Sequence, residues 1–344
     1  MEDINNYINL TKKIISDKKL NLVISLQNTV CSSNDKNFKY MLPLRFLDNY
    51  LFVGICNGNS KETRFFLQEL QDSSKYILVD VEKKYPWNES KDIEKMYFGN
   101  IDGLVSDIIQ KEKLIHIWPN SMTVEACLTS LFSEKEPLCN LKVAVMGLGN
   151  IGSKVALRLV EAGAQTSIFT RDYDATLKLS NTINKLKPKS TITSPIPFRR
   201  FLNCAANQNY IFICTGSDLK ISRQIANNIS ENTKLFSLTK IQISKEIQTI
   251  FKRKNIIMQT IDISSFYLME VLKYEAFQKF KSPPLRIKFR NKWLVSGGFH
   301  GEPKDIVVDN AKNPEIFLGL INDKGLFDRK PQRWVDWLRI NKEA

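Results

Sequence analysis

The chain has 344 residues, long enough for two domains and a large core. With 43% hydrophobic and 25% charged residues, and only 14 glycines and 12 prolines, it is not a disordered, collagen-like or disulfide-stapled chain. Lys and Arg (50) outnumber Asp and Glu (36), and the net charge of +14 favours anionic partners: phosphate cofactors, acidic metabolites or nucleic acid. A solvated lysine-rich surface accounts for the same excess.

The first residues, MEDINNYINL, lack the basic start and apolar run of a secretory signal. No stretch approaches the ~20 apolar residues of a membrane span. Cys31, Cys56, Cys127, Cys139, Cys204 and Cys214 are scattered, with no C-x-x-C. They read as reduced, mostly buried thiols of a cytoplasmic protein. Two histidines are too few for a His-rich metal site, so no metal is expected.

Along the chain, β-like runs alternate with helix-like runs. The strand candidates are Asn21 to Ser25, Tyr50 to Cys56, Tyr76 to Val81 and Leu114 to Trp118. Amphipathic segments, Glu62 to Gln71 and Asp92 to Lys111, lie between them, and Ser121 to Leu131 reads as a helix. From Leu141 the pattern sharpens into LKVAVM, GLGNIG, SKVALRLVEAGA and QTSIFT: strand, turn, helix, strand. Further strands are expected at Tyr210 to Cys214, Lys234 to Ser237 and Asn255 to Thr260, with an exposed loop over Asn181 to Pro195. Ser264 to Lys281 reads as a helix returning to the first domain. The tail reads as short strands (LRIKF, KWLVSGGFHG, DIVVDN) and a closing helix, PQRWVDWLRI.

Gly147-Leu148-Gly149-Asn150-Ile151-Gly152 fits G-x-G-x-x-G in the right context, after an apolar strand and before a helix. Gly147 permits the tight turn, Gly149 lets backbone approach a pyrophosphate, and Gly152 lets helix and strand pack closely. Free N–H groups at Asn150 and Ile151 then bind phosphate, aided by the helix dipole. The second strand ends Phe169-Thr170-Arg171-Asp172. Thr170 and Arg171 suit a ribose 2′-phosphate, which favours NADP(H) over NAD(H). Asp172 is the counter-signal, since a shift of one residue sets an acid at the ribose. Thr215, Gly216 and Ser217, after the strand ending at Cys214, fall at a carboxyl edge where the nicotinamide ribose is expected.

GLGNIG resembles the turn of D-2-hydroxyacid dehydrogenases. Thr170-Arg171 with Thr215-Gly216-Ser217 resembles shikimate dehydrogenase, glutamyl-tRNA reductase and the A-type component of dipicolinate synthase. The resemblance covers residues 141–262 and implies a two-domain NAD(P)-dependent dehydrogenase with its substrate domain first. It names no substrate: the Arg, Glu and His signatures of the hydroxyacid enzymes and the Lys and Asp pair of the shikimate enzymes are not found. The expected fold is α/β: an N-terminal α/β substrate domain (1–125), a doubly wound Rossmann domain (126–265), and a C-terminal segment with return helix, β-hairpin and closing helix (266–344).

Hydride transfer needs an acid or base near the nicotinamide. His116 ends a strand just before Asn120 and Ser121, which either bond the substrate or cap a helix. His300 lies in the turn Ser296 to Lys304, a lid over the cleft or an exposed hairpin. Asp262 and Ser264 are weaker candidates, and the clusters Arg199-Arg200 and Lys252-Arg253-Lys254 read as solvated cations. The expected function is an NADP(H)-dependent oxidoreductase acting on a small anionic carbonyl, imine, hydroxy or amino acid compound. Two rivals stay open: an enzyme that recycles tightly bound NAD(P) without net redox, and a non-enzymatic NADP sensor or nucleic-acid binder. No basic-aromatic RNA motif is present, which ranks nucleic acid last. No membrane partner is expected, and a homodimer stays open.

Overall fold

The computed structural model describes residues 2–28, 40–56, 59–82, 101–109, 113–132, 137–215, 221–239, 241–280, 286–297, 301–325 and 327–328. The chain forms two compact units, Met1–Val271 and Leu272–Ala344. The first unit holds both α/β sheets, described in turn as two lobes.

The first lobe opens with α1 (Glu2–Lys18), whose Ile4 and Ile8 are buried. Its sheet contains β1 (Asn21–Gln27), β2 (Tyr40–Met41), β3 (Arg45–Leu47), β4 (Tyr50–Cys56), β5 (Ser74–Asp80) and β6 (Leu114–Ile117). The order is β2-β4-β1-β5-β6, with β3 also on β4. Strands β1, β4, β5 and β6 run parallel, while β2 and β3 are antiparallel to β4. Helices α2 (Ser60–Leu70) and α3 (Ile101–Ser106) join α1 over the face built by Leu22, Ile24, Leu26, Val53, Ile55 and Val79. An Asn59–Glu62 capping box starts α2, the Asn59 side chain accepting the Glu62 N–H and the Glu62 carboxylate accepting the Asn59 N–H. Helix α4 (Pro119–Phe132) leads to the second lobe; its Val124, Cys127, Leu128 and Leu131 are buried in that lobe's core.

The second lobe is β7 (Lys142–Met146), α5 (Asn150–Glu161), β8 (Gln165–Phe169), α6 (Tyr173–Leu186), β9 (Ile196–Pro197), α7 (Phe201–Ala205), β10 (Tyr210–Ile213), α8 (Arg223–Asn228), β11 (Lys234–Ser237), α9 (Lys245–Arg253) and β12 (Ile257–Thr260). Its strands are all parallel in the order β12-β11-β10-β7-β8-β9. That is the doubly wound Rossmann order, with its topological switch between β7 and β10. One sheet face buries Val143, Val145 and Phe212 and the other Ala144, Met146, Ile211 and Ile213. Strands covered on both faces have no polar side, so they read as continuous apolar runs in the sequence. At the end of α5, Gly163 (φ 85°) closes a Schellman motif: its N–H bonds Val160 O and the Ala164 N–H bonds Leu159 O.

Several elements depart from the sequence reading. Helix α6 runs to Leu186, into the expected loop over Asn181 to Pro195, because Asp172 caps it firmly and Ile183 is buried. The polar-looking N-terminus is helical, and β2, β3, β9 and α7 have no clear sequence signal. The chain then enters α10 (Ser264–Phe280). The second unit holds β13 (Arg286–Phe289), β14 (Lys292–Ser296), β15 (Ile306–Val308), β16 (Phe317–Ile321) and β17 (Phe327–Asp328), one five-stranded sheet in that order. Only β14 and β15 pair in parallel. Arg286 pairs with the buried carboxylate of Asp305 at 2.9 Å. The expected closing helix lies outside the described residues. Among the described residues no helix is long and apolar enough to cross a membrane.

Candidate functional site

At the switch point β7 stops at Met146 and the chain turns through Gly147, whose φ of 93° suits glycine. Its N–H bonds the Phe169 carbonyl at 2.8 Å. A Cβ on Gly147 would stand 2.6 Å from Thr215 Cγ2, and one on Gly152 only 1.9 Å from Gly147 O. Gly152 therefore lets α5 dock directly on the turn. Gly149 differs: a Cβ there meets nothing within 4 Å, and its backbone (φ −73°, ψ −163°) suits any residue. Glycine at this position leaves an open space that the protein itself does not fill.

That space lies at the start of α5, where no side chain caps the helix. The N–H groups of Asn150, Ile151 and Gly152 have no acceptor within the helix and carry its positive dipole end. A pocket of about 330 Å³ spreads from Gly147 and Gly149 past Thr170 and Arg171 to Phe201 and Thr215. The hydroxyl oxygens of Thr215, Ser237 and Thr239, at the ends of β10 and β11, are buried without partners. Bare backbone, free amides and orphaned hydroxyls in one row fit a dinucleotide laid across the switch point.

Beyond β8, Asp172 is the N-cap of α6, its Oδ1 accepting the Asp174 and Ala175 N–H groups at 2.9 and 3.2 Å. One oxygen of the acid that competes for the ribose, Oδ1, thus serves the helix. The buried Thr176 braces the same turn, its Oγ1 accepting the Thr170 N–H and donating to Asp172 O. Thr170 and Arg171 are left to face the pocket. Phe201, overlooked in the sequence, borders it too, edge-on to Phe169 at 5.7 Å. Only the parallel pairing of β9 with β8 brings Phe201 there, so no local pattern announced it.

A second polar group gathers at the carboxyl ends of the first sheet. Asp80, fully buried, accepts the N–H groups of Asn28 and Glu82. The Asn28 side-chain amide is buried and unpartnered. Gln27 donates to Ser25 Oγ and to the Tyr267 hydroxyl at 2.7 and 2.6 Å. Burial pushes the Tyr267 phenol above its ordinary pKa of 10.0. Tyr267 belongs to α10, which starts just after β12, and Arg45 of β3 bonds Ser264 Oγ in the same helix. These contacts tie the carboxyl end of β1 to that of β12. Asp262 accepts the Ser264 N–H, and the Ser264 side chain, its backbone and nearby Arg45 hold its carboxyl below the usual range against some desolvation.

His116 sits one residue before the end of β6, with Nε2 2.8 Å from Asp102 Oδ1 of α3; its side chain is 47% exposed. Register places it on the Val79 face, opposite to Asp80. The Asn120 N–H bonds Glu82 Oε2 at 2.9 Å, which anchors the start of α4. His300, Gly216 and Ser217 lie outside the described residues. Gly147, Gly149, Thr170, Arg171 and Thr215 come together in one pocket, while Asn150, Ile151 and Gly152 form the first turn of α5 beside it; His116 and Asn120 stand at the edge of the other sheet.

No family model matches the chain, and no curated protein sequence matches it. Among solved structures it is similar to a D-isomer specific 2-hydroxyacid dehydrogenase from Xanthobacter autotrophicus in complex with NADPH, at 11% identity and a TM-score of 0.30. That match covers 42% of this chain and 66% of the other, just under two thirds of its length. It is also similar to the A-type component of dipicolinate synthase from Bacillus halodurans (10% identity, TM-score 0.34, covering 77% and 98%). A third is shikimate 5-dehydrogenase from Listeria monocytogenes, in complex with shikimate and NAD (12%, TM-score 0.40, covering 75% and 92%).

Proposed function

We propose that the protein is an NADP(H)-dependent oxidoreductase acting on a small carbonyl, imine or hydroxy compound. The observation that carries this reading is the open side of Gly149, set against uncapped amides at the switch point of a doubly wound sheet. Asn150, Ile151 and Gly152 bind the pyrophosphate through their N–H groups. Thr215 orients the nicotinamide ribose through its unpaired hydroxyl. Arg171 meets the 2′-phosphate, the group that separates NADP(H) from NAD(H). When bound, the cofactor supplies a hydride at its nicotinamide ring.

Substrate is proposed to lie against the carboxyl edge of the first sheet. His116 handles the proton, with Asp102 fixing the imidazole. Asn28 offers a donor and an acceptor that the fold does not use.

Titration with NADPH, followed by its fluorescence and by calorimetry, tests the reading. Saturable binding is expected, and Gly149→Val should abolish it in a protein that keeps its circular dichroism and melting temperature. Unimpaired binding by that variant would remove the basis of the proposal.

A further inference from the structure

The neighbourhood of Arg171 is poorly suited to hold a phosphate dianion with one cation. Asp172 and Asp174 stand in the same turn. The Asp172 carboxylate is bound to amides, and Asp174 is exposed. A single guanidinium against two carboxylates leaves no positive surplus for a dianionic ester.

A second guanidinium is supplied from the next strand. In the pairing of β9 with β8, Ser167 is opposite Ile196 and Ile168 opposite Pro197. The Phe198 N–H then bonds Ile168 O at 3.0 Å. The same offset, carried past the paired residues, sets Arg199 level with Thr170, just beyond the carboxyl edge. Its guanidinium lies over the Tyr173 ring, 4.1 Å from the centroid. Tyr173 is the first residue of α6 and follows Arg171 and Asp172 directly. Stacking of this kind restrains a long exposed side chain and keeps its N–H edge available. Among the described residues, neither Arg171 nor Arg199 is in an ion pair.

We infer that Arg199, held by Tyr173, is the second cation of the 2′-phosphate site and selects NADP(H) over NAD(H) together with Arg171. The inference rests on the nucleotide reading above and adds a selectivity residue to it. Two forks from adjacent strands can each give a phosphate paired N–H donors, a geometry a lysine cannot match. Tyr173 thereby acts as a positioning residue.

The test is calorimetric titration of the whole protein with 2′,5′-ADP and with 5′-AMP. These probes differ only in the 2′-phosphate and require no turnover. Wild type should bind 2′,5′-ADP the more tightly. Arg199→Ala should weaken 2′,5′-ADP about tenfold and leave 5′-AMP unchanged. Tyr173→Leu should give a smaller loss of the same kind, and Arg199→Lys an intermediate one. Wild-type selectivity that survives Arg199→Ala but falls with Arg171→Ala overturns the role of Arg199 alone. Equal binding of both probes by wild type overturns the NADP(H) preference as well. No binding of either probe removes the nucleotide reading itself.

Discussion

A methyl group on Gly152 would stand 1.9 Å from the carbonyl oxygen of Gly147, while one on Gly149 would touch nothing. Two glycines of one motif therefore do opposite jobs: one closes the fold and the other keeps space for a ligand. Gly152→Ala forces α5 off the turn and should cost about 3 kcal/mol in chemical denaturation. Gly149→Val should leave the denaturation midpoint within about 0.5 kcal/mol of wild type and eliminate NADPH binding. A stable Gly152→Ala protein would contradict the close docking of α5 on the turn.

Asp172 caps α6 through its Oδ1. Asp172→Ala should lower stability by about 1 kcal/mol, with Asp172→Asn retaining most of it. NADH affinity, measured by calorimetry, should not fall in either variant. NADPH affinity should rise modestly, because a charge that repels the phosphate is gone. A large loss of NADH binding in Asp172→Asn would return the acid to the ribose.

The Tyr7 hydroxyl donates to Leu42 O at 2.7 Å and accepts the Gly54 N–H at 3.1 Å. Burial raises its pKa from 10.0 to about 12. The native state holds this proton longer than the unfolded chain does. The stability it confers is therefore complete below pH 10 and is lost as pH climbs from 10 towards 12. The loss should reach about 2 kcal/mol, allowing for partial exposure. Denaturation midpoints across that window should fall less steeply in Tyr7→Phe, which loses about 1 kcal/mol at neutral pH with its missing bonds.

His116 and Asp102 lie 2.8 Å apart on different elements. For any carbonyl compound found to oxidise NADPH in the presence of the protein, His116→Ala should lower kcat about 100-fold. Asp102→Asn should cost about tenfold, because it orients the ring without touching substrate. NADPH affinity should be unchanged in both. Full activity in His116→Ala would move the proton chemistry elsewhere on the carboxyl edge, where Asn28, Asp80 and Tyr267 converge.

Strands buried on both faces and glycines at required spacings are local signals, so LKVAVM, GLGNIG and YIFIC disclosed the doubly wound lobe and its phosphate-binding turn. Amphipathic spacing also marked α2 from Glu62 on, while the Asn59–Glu62 box that starts it went unread. The role of Asp172 was ambiguous by one residue, since strand end and helix cap draw on the same polar types and only the hydrogen bonds separate them. Arg199 looked like a solvated cation because its partner ring is 26 residues away in the chain and adjacent only through the β8–β9 pairing. Gln27 and Tyr267, 240 residues apart, meet only when α10 leaves β12 and lies against β1. Periodicity and turn chemistry act over a few residues and determined the lobes and the nucleotide turn. Which side chains face one another across elements depends on register and helix docking, and those were decided by the tertiary structure.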